Sequence, residues 1–134
     1  MAVVTHHDSL VGQWLTLPDA ADLLGTDVGK VRRLVQERRV VAVRRGERNV
    51  LSIPADFLRA GADGRREVVP ALAGTLTLLA DAHLSDAEAI TWLFTPDPSL
   101  AVLGDDAHPV STPMDALAAG HKTEIRRRAQ AEAF

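Results

Sequence analysis

Between Thr16 and Gly25 the apolar residues Leu17, Ala20, Ala21, Leu23 and Leu24 recur at the spacing of one helix face. Thr16 is placed to cap that helix, Pro18 suits its first turn, and Asp19 complements the positive end of its dipole. Gly25 ends it, because glycine adopts the left-handed C-cap conformation without steric cost. Thr26 then reads as the cap of a second helix, with Asp27 at its positive end. There Val28, Val31, Leu34 and Val35 fall on one face, and Lys30, Arg32, Arg33 and Gln36 on others. A half-apolar, half-basic helix one short turn after another helix is a helix-turn-helix arrangement.

The period then changes to that of strands. Val40 to Val43 and Val50, Leu51 and Ile53 are strand formers, and Arg44 to Asn49 between them is polar and punctuated by Gly46. The expectation is one β-hairpin tipped with arginine, in the position of a wing. Pro54 ends the second strand and opens a short helix over Ala55 to Arg59. Small and charged residues follow and read as a linker, with Arg65 and Arg66 as solvated charge.

The remainder is helical in pattern. Leu72, Leu76, Leu79 and Ala80 predict a buried helix within 69–83. Ser85 to Glu88 spells a capping box for a helix from Asp86 to about Phe94, with Leu84 and Ala89 placed as a hydrophobic staple. Trp92 reads as a core or interface residue, and Trp14 as a core or helix-entry residue. Residues 95–112 read as an irregular connection pinned by Leu100, Val102 and Leu103. Thr112 and Pro113 open a short helix stopped by Gly120, and Thr123 caps the last one. The fold class expected is mostly α with a small β-hairpin wing. A winged helix-turn-helix over 14–60 would follow a tail over 1–13, and a linker over 61–68 would join it to a C-terminal helical bundle extension over 69–134.

Charge changes this picture more than composition does. The 134 residues sum to −3, but unevenly. Residues 1–27 carry four aspartates and no Lys or Arg. Residues 28–48 carry Lys30 and seven arginines against Glu37 and Glu47, for +6. Residues 49–134 hold 7 basic and 12 acidic groups, for −5. A focused basic surface on an acidic body suits phosphate, since sequence-independent affinity follows the number of phosphate contacts. The few aromatics weigh against stacking on single strands or RNA.

Other chemistries find no support. The absence of cysteine excludes disulfides and thiolate metal sites. No stretch approaches a membrane span, and the N-terminus lacks a secretory leader, so a cytoplasmic, nucleoid-associated protein is expected. No phosphate-loop, dinucleotide or zinc-protease motif is present, so no enzyme and no cofactor are expected. His6 with His7, and Asp105 and Asp106 with His108, lack ligand spacing, so no metal is expected. Thr5 and Ser9 flank Asp8 in the tail. Thr5 is the candidate for phosphorylation by a regulatory Ser/Thr kinase, where added negative charge would oppose DNA binding.

Three segments carry a resemblance. Leu17 to Gly25 has the form L-x-x-A-A-x-L-L-G, Val31 to Arg38 the form V-x-R-L-V-x-x-R, and the wing an R-x-G-x-R stretch closing on Ile53 and Pro54. The pattern resembles the MerR-like and excisionase-like winged helix-turn-helix proteins. With Pro113 to Leu117 and Arg126 to Gln130, the whole chain is similar to a small actinobacterial winged-helix DNA-binding family. The resemblance implies double-stranded DNA as partner and transcription regulation as use. No long heptad run supports a MerR-style coiled-coil dimer. The segments Thr95 to Gly104, Thr112 to Gly120 and Glu124 to Gln130 are also similar to the toxin-binding tails of some helix-turn-helix antitoxins, which implies an alternative: residues 69–134 as a module for a protein partner or self-association.

The DNA-facing candidates are Thr26, Lys30, Arg32, Arg33 and Gln36 on the second helix, and Arg44, Arg45, Arg48 and Asn49 on the wing. Arg38 and Arg39, at the helix end, either complement its dipole or join the DNA face. Arg126 to Arg128 are either a second backbone contact or a solvated helix face.

Overall fold

The computed structural model describes residues 9–133. One strand was not expected: β1 (Trp14–Thr16) lies antiparallel to β3 (Val50–Pro54), pairing Leu15 with Ile53 and Thr16 with Ser52. β2 (Val43–Arg45) pairs with the other edge of β3. The predicted hairpin is therefore part of a three-stranded sheet in the order β1-β3-β2. Leu15 and Ile53 carry one face of it into the core. Val40 and Val41, expected in the strand, are buried but precede it, the strand beginning only at Val43.

α1 (Leu17–Leu24) starts where Thr16 Oγ1 accepts from the Asp19 amide at 3.3 Å. It ends in a Schellman turn: the Gly25 amide donates to Asp22 O and the Thr26 amide to Ala21 O, with Gly25 at φ +69°. Because Thr26 is used in closing α1, the cap of α2 (Val28–Gln36) is Asp27, whose Oδ1 accepts from the Lys30 amide at 2.9 Å. This corrects the expectation for Thr26.

The stretch expected to be a short helix and a linker is neither. Ala55–Phe57 is a single 3-10 turn, followed by β4 (Leu58–Ala60) and β5 (Arg66–Val68), a second antiparallel hairpin. Gly64 at φ +82° supplies its reversal, and Asp63 Oδ1 holds the Arg65 amide at 3.0 Å. Pairing outcompetes the helix because the Phe57 carbonyl accepts from Val69 and every residue of β4 finds a partner in β5.

In the C-terminal half α3 (Leu72–Asp81) buries Leu72, Leu76 and Leu79 completely. α4 (Asp86–Phe94) has both bonds of its capping box, Glu88 N to Ser85 Oγ and Ser85 N to Glu88 Oε1. A 3-10 segment, Pro98–Leu103, buries Leu100 and half-buries Leu103, while Val102 is 86% exposed. Three residues per turn put positions 100 and 103 on one side, so Val102 pins nothing. α5 (Pro113–Ala118) and α6 (Lys122–Ala131) complete the unit. Gly120 turns the chain early enough that α6 begins at Lys122, leaving Thr123 inside the first turn and not at the cap.

Both halves share one buried cluster, from Val11, Leu15 and Val31 through Phe57 to Leu93, Ile125 and Ala129. Phe57 meets Phe94 across it, ring centroids 6.1 Å apart. Arg59 bridges the halves outside the core, bonding Glu67 Oε1 at 3.0 Å and the Ala118 carbonyl at 3.1 Å.

Candidate nucleic-acid interface

α2 divides as its sequence requires. Val31 is fully buried, Val28, Leu34 and Val35 half-buried, and Lys30, Arg32, Arg33 and Gln36 exposed. None of these three cations has an acidic partner among the described residues. Thr26 is half-buried in the closing turn of α1.

At the far end of α2, Arg38 closes another Schellman turn in a left-handed conformation, φ +56°. Its guanidinium reaches Asp86, the first residue of α4, at 3.0 Å. It is thus committed to the C-terminal half, whereas Arg39 is exposed.

The wing loop runs over 46–49, with Gly46 and Asn49 both at positive φ and the Asn49 amide donating to Gly46 O. Arg44 Nη1 donates to the Asn49 carbonyl at 3.0 Å, which braces the loop while leaving the side chain exposed. Strand alternation sends Arg45 to the other face. Its guanidinium carbon lies 4.4 Å from the Trp14 ring centroid, in cation–π geometry. Arg48 is exposed at the tip. The wing candidates therefore separate: Arg44, Arg48 and Asn49 are at or beside the tip, and Arg45 is stacked on β1.

One cation was passed over by the sequence reading. A methyl group at Gly25 would sit 3.4 Å from Arg65 Nη1 and 3.6 Å from its Cδ, so Arg65 lies along the turn between α1 and α2. The usable signal was Asp63-Gly64, a hairpin dipeptide between two short strand-like runs.

The remaining candidates fall elsewhere. Thr5, His6 and His7 lie outside the described residues. Asp105 Oδ1 accepts from the His108 amide, and no group of three metal-ligating side chains occurs among the described residues. Arg127 and Arg128 are paired rather than free: both bond Glu124, and Arg128 also bonds Asp97 and Ser99. Hydrogen bonds from Arg127 and then Arg128 lower the Glu124 carboxyl to a pKa of about 2. Asp97 is lowered too, first by the Ser99 hydroxyl and amide and then by Arg128. This network lines an open groove, with Trp92, Pro96 and Pro98, and Trp92 Nε1 donates to Glu132 at 2.8 Å. No helix of the described residues is long and apolar enough to cross a membrane.

Comparison with known proteins yields concordant matches. Residues 2–58 match a family model described as the wHTH domain of DNA-binding protein Rv2175c, and residues 69–133 match the Rv2175c C-terminal domain of unknown function. DNA-binding protein Rv2175c of Mycobacterium tuberculosis (strain ATCC 25618 / H37Rv) is 44% identical over 121 residues, 88% of this chain and 79% of that protein. An NMR structure of Rv2175c superposes with a TM-score of 0.75 at 41% identity, covering 91% of this chain and 82% of that one.

Proposed function

The chain belongs to the Rv2175c family of winged helix-turn-helix DNA-binding proteins, and from that membership we propose that it binds double-stranded DNA through α2 and the wing as a transcriptional regulator. The observation that carries this reading is the row Lys30, Arg32 and Arg33, exposed and without acidic partners on a helix whose other side is fixed in the core. α2 enters the major groove from its N-terminal end, as such helices do. Lys30 and Arg33 with Gln36 face the bases, and Arg32 reaches bases or the adjoining backbone. Arg44 and Arg48, with Asn49 at the tip, meet the backbone beside the groove. Thr26, half-buried in the turn with its amide bonded to Ala21 O, offers its hydroxyl and not a cap. Arg45 supports the wing through Trp14.

The test is an anisotropy titration with mixed-sequence duplex at several salt concentrations. Wild type is expected to bind with affinity falling steeply with salt. Arg32→Ala/Arg33→Ala is expected to lose that binding. Arg44→Ala/Arg48→Ala should weaken all duplexes alike and flatten the plot of log affinity against log salt by about 2. Binding left intact in both double variants would mean that DNA meets another surface.

A further inference from the structure

The first 27 residues contain no lysine or arginine, yet they form α1 and the turn that leads into α2. Asp19, Asp22 and Asp27 lie along that edge, all exposed. If α2 enters a groove by its N-terminal end, the flanking phosphates approach this acidic edge and are repelled unless a cation is brought there from elsewhere. One is. The β4–β5 hairpin returns Arg65 to the turn, its side chain lying within van der Waals reach of a Cβ placed at Gly25. Gly25 closes α1 through its left-handed φ, and the Arg65 side chain packs against that turn.

The placement is built, not incidental. Three register pairs hold the hairpin, Leu58 with Val68, Arg59 with Glu67 and Ala60 with Arg66. The Gly61 amide donates to the Arg65 carbonyl at 2.6 Å, Asp63 holds the Arg65 amide, and Arg59 fastens the hairpin to Ala118. The backbone of Arg65 is thus fixed on both sides while its guanidinium has no acidic partner among the described residues. Arg66 has no acidic partner either, but alternation directs it to the opposite side of the ribbon.

We infer that the β4–β5 hairpin is a second phosphate-binding element, in which Arg65 contacts the DNA backbone flanking the N-terminal end of α2. This rests on the DNA-binding function proposed above. It adds a contact at the turn before the recognition helix, distinct from the contacts of the wing.

The experiment compares full-length wild type, Arg65→Gln, Arg65→Lys, Arg66→Gln and Arg32→Ala/Arg33→Ala by salt-dependent anisotropy, with phosphate-ethylation interference on the bound duplex. Glutamine keeps much of the length and packing of Arg65 and removes its charge. The expected result is that Arg65→Gln lowers the salt slope by about 0.9, the value for one phosphate. It should also erase interference at one flank, with an unchanged melting temperature, while Arg65→Lys retains most of the slope and Arg66→Gln all of it. A wild-type slope and footprint in Arg65→Gln would overturn the inference while leaving the function standing, provided Arg32→Ala/Arg33→Ala has lost binding. Equal losses in Arg65→Gln and Arg66→Gln would overturn it too, because charge alone and not position would be responsible. A wild-type protein that binds no duplex overturns the function and this inference together.

Discussion

Replacing Phe57 with alanine tests whether the two halves are one folding unit. Phe57 is fully buried at the exit from the three-stranded sheet, and its ring lies 6.1 Å from that of Phe94 at 37°. Removing a buried phenyl group costs about 3–5 kcal/mol in transfer and cavity energy. For 134 residues, an unfolding entropy of about 2.1 cal/mol/K per residue gives about 0.28 kcal/mol/K, so the melting temperature should fall by about 11–18 °C. Against a typical total of about 5–15 kcal/mol, that is a large share of the stability. The assay is scanning calorimetry beside tryptophan fluorescence, since Trp14 lies in β1 and Trp92 in α4. A single core predicts one transition in wild type and one in Phe57→Ala, with both tryptophans melting together. Two transitions, or a Trp92 melt left at the wild-type temperature, would refute the shared core.

Other outcomes follow from single contacts. Asp27→Ala should cost about 1 kcal/mol by thermal melting because it uncaps α2, whereas Thr26→Ala should cost clearly less; the reverse order would return the cap to Thr26. Arg45→Ala should shift the emission of Trp14 in a Trp92→Phe background and cost about 0.5–1 kcal/mol; a loss of DNA affinity as large as that of Arg48→Ala would show that Arg45 works at the DNA and not on Trp14. The Glu124 carboxyl is held at about 2 against an ordinary value of 4.5. A depressed carboxylate pKa stabilises the fold above 4.5, and that contribution is lost as pH falls from 4.5 towards 2. Trp92 emission in a Trp14→Phe background should therefore change across that window and lose the change in Glu124→Gln; an identical acid limb in the variant would refute the assignment.

The helix-turn-helix was legible because its signals agree. The apolar faces of α1 and α2, the Thr16 cap and Gly25 all point to one arrangement. The capping box at Ser85 and the cap at Thr112 were equally local. What escaped depends on pairing over distance. β1 is three residues long and exists only because β3, more than thirty residues later, offers an edge. The β4–β5 hairpin was hidden by small and charged residues that suit a linker as well as a turn, although Asp63-Gly64 was there to be read. At the candidate interface, the exposure of Lys30, Arg32 and Arg33 followed from periodicity, and that of Arg48 from the turn signal at Gly46. The commitments of Arg38 to Asp86 and Arg45 to Trp14 did not, since a run of arginines does not say which of them finds a partner.

The helix ends carry a consequence for how this sequence can change. α1, α2, α3 and α5 close with the same pair of backbone bonds around a left-handed residue, respectively Gly25, Arg38, His83 and Gly120. Two of the four are glycine, for which that conformation is free; at the other two a side chain costs roughly 1 kcal/mol. At Arg38 the ion pair with Asp86 offsets part of this. His83 is exposed, with no side-chain hydrogen bond or ion pair among the described residues. It is therefore an unspent reserve: one codon from a more comfortable backbone, outside the proposed DNA-facing residues, where the chain can gain stability and so tolerate costlier changes on the proposed DNA surface.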